Sequence, residues 1–246
     1  MVRHQLKNTD CHLDDPIFFR GLAGGSFEEV EVVLNFDEIP PPEWLGDMEL
    51  RTRKMNASSV DLDGDHLPEL LFTGLGFRGS FVVRLQNLGD FQFGAPQRIY
   101  DIPTPEWLIE SHTVADFNQD GLLDLALGVT FIGNMGDMQE VIHPLLQQEP
   151  DGDFTLVEEL SIAGVGGSLS VSLTDYDSDG LIDLWVPPDV GNDHGLFHNE
   201  GSDENGMPIL VETAQEVGMI RPVNAMGIDS ADLNGDGFFD YVLSDL

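Results

Sequence analysis

Asp116-Phe117-Asn118-Gln119-Asp120-Gly121-Leu122-Leu123-Asp124 is the stretch whose reading decides the fold of this chain. Asp or Asn stands at positions 1 and 3, Asp at 5, Gly at 6 and a carboxylate at 9. Three other stretches repeat the pattern: Asp61-Leu62-Asp63-Gly64-Asp65-His66-Leu67-Pro68-Glu69, Asp175-Tyr176-Asp177-Ser178-Asp179-Gly180-Leu181-Ile182-Asp183 and Asp232-Leu233-Asn234-Gly235-Asp236-Gly237-Phe238-Phe239-Asp240. Their first residues lie 55, 59 and 57 positions apart. A fixed period in this range marks a repeat architecture. So many oxygens on one tight loop mark a site for a hard cation, calcium foremost.

The expected ligands follow from the spacing. Side chains at 1, 3 and 5 converge when the loop curls around an ion: Asp61, Asp63 and Asp65; Asp116, Asn118 and Asp120; Asp175, Asp177 and Asp179; Asp232, Asn234 and Asp236. Position 7 offers a backbone carbonyl, from Leu67, Leu122, Leu181 or Phe238. Position 9 closes the cage with Glu69, Asp124, Asp183 or Asp240. Calcium takes six to eight oxygens, which this set and water supply, so up to four ions are expected. Position 6 turns sharply, which suits Gly121, Gly180 and Gly237. Loop one departs, with His66 in place of the glycine and Gly64 two places earlier, so it is expected to be the weakest or most distorted. Asn118 and Asn234 each remove a charge and should lower affinity. An EF-hand needs Glu at position 12, where this chain has Phe72, Leu127, Val186 and Leu243.

Short apolar runs follow each loop: Leu70-Leu-Phe, Leu125-Ala-Leu-Gly-Val, Leu184-Trp-Val and Tyr241-Val-Leu. Their length and β-enriched composition predict strands. Further along each repeat a second pair is predicted, as in Phe81–Asn87 with Gly89–Ile99, Val141–Leu146 with Phe154–Leu160, and Gly195–Gly201 with Ile209–Thr213. Four short strands per unit, with the acidic loop between the first two, describe a propeller blade. The fold class expected is all-β, a β-propeller of four-stranded blades with about four blades present. The expected division is a partial blade at 1–50, repeats at about 51–105, 106–165 and 166–222, and a partial blade at 223–246. The N-terminal strands, Ile17–Arg20 and Gly24–Val30, either complete the last blade of a small ring or belong to a larger propeller of which this chain is a fragment; the second reading is preferred. Pro42-Glu-Trp44-Leu echoes Pro105-Glu-Trp107-Leu, and these tryptophans are expected to pack between blades.

Composition narrows the function. The chain has 45 acidic and 10 basic residues, a formal charge of −35. That excludes nucleic acid and anionic membrane surfaces as partners, because both require basic patches. The one basic cluster, Arg51-Thr-Arg53-Lys54, is read as a local partner for carboxylates. Fourteen carboxylates sit in the four loops, and four calcium ions would offset eight charges. Cys11 alone excludes an internal disulfide framework. No apolar run is long enough to span a bilayer. Met1–Lys7 lacks the apolar core of a signal peptide, so export is expected to depend on sequence outside this chain.

The acidic loops, together with Phe93-Gly94-Ala95-Pro96, resemble FG-GAP/VCBS repeats, the units of integrin α-chain propellers and of many bacterial secreted proteins. Ala225–Gly237 and Leu196-Phe-His-Asn199 resemble the bacterial branch often found with an ASPIC/UnbV tail. The resemblance spans about residues 15–246. It implies a β-propeller with calcium in the first loop of each blade, in an extracellular, cell-surface or periplasmic setting. It implies no single activity, because the fold hosts binders and enzymes alike.

Catalytic signatures are missing: no Gly-x-Ser-x-Gly, His-Glu-x-x-His or phosphate-binding glycine loop occurs. The histidines at 4, 12, 66, 112, 143, 194 and 198 follow no metal-ligand spacing. The expected role is recognition or adhesion toward a protein or carbohydrate, with calcium holding the loops. The alternatives are a carbohydrate-active lyase or hydrolase with structural calcium, and a scaffold that binds nothing.

Overall fold

The computed structural model describes residues 16–34, 53–76, 79–133, 141–161, 167–189, 194–219 and 221–246. Cys11, Trp44 and the side chains of Arg51, Arg53 and Lys54 lie outside the described residues, and with them the readings placed on them.

The fold is all-β, and the described residues contain no helix. Two hydrogen-bonded halves flank three complete sheets. The N-terminal half-sheet is β1 (Phe18–Leu22) with β2 (Ser26–Val30). The first complete sheet runs β3 (Arg53–Val60), β4 (Glu69–Gly76), β5 (Gly79–Leu85), β6 (Gln97–Ile102). The second runs β7 (Trp107–Ala115), β8 (Asp124–Phe131), β9 (Ile142–Gln148), β10 (Phe154–Ser161). The third runs β11 (Ser172–Thr174), β12 (Asp183–Val186), β13 (Gly195–Ser202), β14 (Pro208–Glu212). The C-terminal half-sheet is β15 (Ala225–Ala231) with β16 (Asp240–Asp245). Every sheet is an antiparallel meander in chain order, the form of a propeller blade.

The same register recurs at each acidic loop. The residue before the loop faces position 9 across the ladder: Val60 with Glu69, Ala115 with Asp124, Thr174 with Asp183 and Ala231 with Asp240. Each loop is therefore the turn of a hairpin between the first two strands of its sheet. The predicted Gly89–Ile99 strand is shorter and later than expected. Only Gln97–Ile102 forms the ladder, and Phe93 makes a single bridge to Asn87. Residues 89–96 turn instead, with positive φ at Gly89, Asp90 and Phe91.

The sheets stack in chain order with an apolar layer between each neighbouring pair. Leu71 and Val82 of the first sheet meet Ile109, Leu125, Leu127 and Val129 of the second. Phe117, Ala126 and Leu145 of the second meet Leu184, Val186 and Phe197 of the third. Trp185 and Leu196 of the third meet Ile228, Tyr241 and Leu243 of the C-terminal half. Phe18, Val32 and Leu34 cover Phe72, Phe81, Val83 and Leu85 of the first sheet. A strand between two layers is buried on both faces and so needs an unbroken apolar run. This explains Leu125-Ala-Leu-Gly-Val in β8: alternate residues go to opposite layers, Leu125, Leu127 and Val129 to one and Ala126 to the other. Trp107 packs against the layer between the first and second sheets, as expected of it.

Candidate metal centre

Each loop is wound by its own carboxylates. The position 1 carboxylate accepts the position 6 amide in all four: Asp61 from His66 at 3.0 Å, Asp116 from Gly121 at 2.9 Å, Asp175 from Gly180 at 3.2 Å and Asp232 from Gly237 at 2.9 Å. The position 3 oxygen accepts the position 5 amide, at Asp63 (3.2 Å), Asn118 (3.1 Å), Asp177 (3.2 Å) and Asn234 (2.9 Å). The position 5 carboxylate accepts the position 7 amide, from Leu67 at 2.7 Å, Leu122 at 2.8 Å, Leu181 at 2.8 Å and Phe238 at 3.0 Å. These bonds draw the side chains at 1, 3 and 5 to the inside of the turn. At position 7 they fix the amide of each residue.

Position 9 does more than close a cage. Its carboxylate accepts the amide of position 2: Glu69 from Leu62 at 2.8 Å, Asp124 from Phe117 at 3.1 Å, Asp183 from Tyr176 at 3.1 Å and Asp240 from Leu233 at 3.0 Å. The second oxygen of Asp124 accepts the Gln148 amide at 3.0 Å, and that of Asp183 the Asn199 amide at 2.8 Å. Glu69, Asp124 and Asp183 are buried. Burial pushes Asp124 up to about 6, with Asp120 and Asp116 adding to it, and burial also raises Asp183. At exposed Asp232 the amides of Gly237 and Gly235 hold the carboxyl below its usual range. Asp124 and Asp183 are therefore the carboxylates whose buried charge calls for compensation.

Two observations show that the donor set fits a hard cation. Carboxylate oxygens of Asp61, Asp63 and Glu69 lie within 4.8 Å of one another, as do those of Asp175, Asp177 and Asp183. Glu69 Oε1 and Asp175 Oδ1 are buried with no hydrogen-bond partner. A buried carboxylate oxygen left unpaired is costly, and a bound cation removes the cost. Loops two and four carry Asn at position 3. Asn118 Nδ2 donates to Asp120 Oδ2 and to the Gly206 carbonyl, both at 2.9 Å.

The structure corrects the reading of loop one. Gly64 is not a displaced position 6 glycine. Position 4 is left-handed in every loop, with φ of 75° at Gly64, 60° at Gln119, 63° at Ser178 and 80° at Gly235. Position 6 is left-handed as well, including His66 at 71°. His66 keeps the same bond to Asp61 that glycine makes elsewhere, so the expected distortion is not present. The loop needs two left-handed residues, and three different residue types at position 4 (Gly, Gln and Ser) hid one of them.

His198 is also reassigned. Sequence spacing gave it no ligand role, yet its Nδ1 lies 3.1 Å from Asp183 Oδ1 and 3.7 Å from Asp177 Oδ2. It forms a potential ligand group with Asp177 and Asp179. The approach comes from β13 pairing with β12, a contact between residues 15 apart that no local motif encodes.

The loops are tied to the following sheet by a side-chain amide. Gln148 Nε2 donates to the Leu62 carbonyl at 3.1 Å, and Asn199 Nδ2 to the Phe117 carbonyl at 2.8 Å. Both acceptors are position 2 of the preceding loop. The side chains of Leu62 and Phe117 enter the apolar layer beside that amide.

With loop, register and repeat in place, residues 61–127 match the FG-GAP-like repeat family. That segment is similar to an FG-GAP-like repeat. The match takes in loops one and two and strands β4 to β7 between them. No curated protein matches the chain.

Proposed function

We propose that this chain is a calcium-binding FG-GAP propeller module of an exported protein, and that calcium holds its blade loops rigid for recognition of a protein or carbohydrate. The observation that carries the reading is the unpaired, buried Glu69 Oε1 facing Asp61 and Asp63 in a loop whose bonds recur four times. The ligands of each ion are the side chains at 1, 3, 5 and 9 and the carbonyl at 7. The ion supplies positive charge where burial resists ionisation, at Asp124 and Asp183. Each site then adds its binding free energy to folding. Loop affinities belong to the extracellular regime of about 10⁻⁴–10⁻³ M, which suits a surface this acidic.

Recognition is favoured over catalysis because the ordered elements are rim loops joined from sheet to sheet. Gln119 Nε2 of loop two reaches the Gly180 carbonyl of loop three at 3.5 Å. Calorimetric titration with calcium tests the metal assignment by counting sites. Panels of glycans and extracellular proteins, probed with calcium and with chelator, test the role. A chain that takes up no calcium, or binds its partner equally in chelator, refutes the respective half.

A further inference from the structure

A histidine from a neighbouring strand reaches into loop three. His198 lies on β13, which pairs with β12 through Leu184 with Phe197. Its Nδ1 stands 3.1 Å from Asp183 Oδ1 and 3.7 Å from Asp177 Oδ2. A ring nitrogen of His198 and carboxylate oxygens of Asp177 and Asp179, positions 3 and 5 of the loop, all lie within 4.8 Å of one another. The ring stands edge-on to Tyr176, position 2 of the same loop, with centroids 5.7 Å apart. Strand pairing and this ring contact hold the imidazole in place before any ion arrives.

Two roles compete for Nδ1. In the first it is an N–H that donates to Asp183. Asp183 already has a donor for each oxygen, the Tyr176 amide at Oδ2 and the Asn199 amide at Oδ1. In the second, Nδ1 presents its lone pair, and a lone pair so close to two carboxylates is repelled unless a cation lies between them. A separate atom of the same loop asks for that cation. Asp175 Oδ1 is buried with no hydrogen-bond partner, and such an oxygen is costly. An ion such as zinc binds nitrogen and oxygen at about 2.0–2.2 Å, so its donors stand roughly 3–4 Å apart. His198 stands at that spacing from Asp183 and Asp177.

The same place in the other two complete sheets carries glutamine. Leu70 pairs with Leu85 and Leu125 with Leu146, so Gln86 and Gln147 follow as His198 follows Phe197. Gln147 Oε1 is buried with no hydrogen-bond partner. Glutamine offers a hard oxygen, which suits calcium, whereas imidazole suits the later first-row transition metals. Loop three also keeps Asp177 at position 3, where loop two has Asn118. It is thus richer in charge than loop two and adds a nitrogen donor.

We propose that loop three is a mixed nitrogen–oxygen site that prefers a divalent first-row transition ion to calcium, held by Asp177, Asp179 and His198. The inference rests on the reading of the acidic loops as cation sites. Calcium enters loop three when no such ion is present and gives way when one is.

Cobalt(II) is the probe, because its visible absorption reports nitrogen and oxygen ligands. The whole chain is stripped with chelator, placed in about 10 mM calcium, roughly ten times the weakest extracellular-type Kd, and titrated with cobalt(II). The expected result is a single cobalt site filled despite the calcium and emptied by zinc. His198→Gln, which installs the residue of the other two sheets, should weaken cobalt binding at least about tenfold and leave the calcium count in cobalt-free buffer unchanged. His66→Ala, which removes the exposed imidazole beside Asp61, should leave cobalt binding unchanged. Circular dichroism of both variants is the folding control. In the unaltered chain zinc should shift the nitrogen-15 signals of the His198 ring, and calcium should not. No cobalt site in excess calcium, or His198 signals indifferent to zinc, overturns the proposal while the calcium count stands. Cobalt binding kept in His198→Gln or lost in His66→Ala overturns it as well. A chain that takes up neither ion takes the reading of the loops down with it.

Discussion

Replacing Phe117 by alanine separates the stacking of sheets from the winding of loops. The ring is fully buried in the layer between the second and third sheets. Its backbone amide and carbonyl are held by Asp124 and Asn199, and the substitution leaves both bonds in place. The cost is therefore the ring's transfer and the cavity it leaves, about 3–5 kcal/mol. Leu233 occupies the same position of the repeat but is 70% exposed. Leu233→Ala should cost within about 0.5 kcal/mol. For a chain of this size 1 kcal/mol moves Tm by about 2–4 °C. Phe117→Ala should then lower Tm by roughly 6–20 °C and Leu233→Ala by no more than about 2 °C. Calorimetry in dilute protein at fixed calcium reads both without a contribution from association. Equal losses at the two positions would show that position 2 acts within its loop, and the stacking argument would fail.

Chelation should lower Tm and calcium should restore it. With ion at about 100 times Kd each occupied site contributes about 2.7 kcal/mol, so an unmoved melting curve removes the metal from the fold. Asp183→Asn leaves one acceptor oxygen for the amides of Tyr176 and Asn199. It should cost about 1–3 kcal/mol and delete one calcium site in titration. Asn199→Ala loses the bond to the Phe117 carbonyl and should cost about 1–3 kcal/mol in urea unfolding, with calcium stoichiometry unchanged. His143 is buried, accepts the Val129 amide at Nδ1, and burial lowers it to about 4 from 6.5. The folded state thus prefers the neutral ring. That stability is present above pH 6.5 and is lost as pH falls toward 4, on the order of 3 kcal/mol in all. Urea unfolding across that range, compared with His143→Gln, should show a shallower acid loss in the variant.

The sequence by itself determined the hairpin loops, the carboxylate positions that wind them and the all-β class. These are local: a loop of nine residues winds on its own carboxylates, and a strand buried on both faces must be apolar throughout. Tertiary structure alone decided which residues meet from different strands and sheets. His198 reaches Asp183 because β13 lies beside β12. Asn199 and Gln148 grip a preceding loop because sheets stack in chain order, and no spacing within one repeat records that contact. Position 4 stayed hidden for another reason. Backbone handedness at Gln119 and Ser178 is imposed by the bonds around them, since neither residue favours it unaided. A repeat motif fixes what a unit does with its own atoms. How one unit completes the next is fixed by the layer between them, where Phe117 is buried and Leu233 is not.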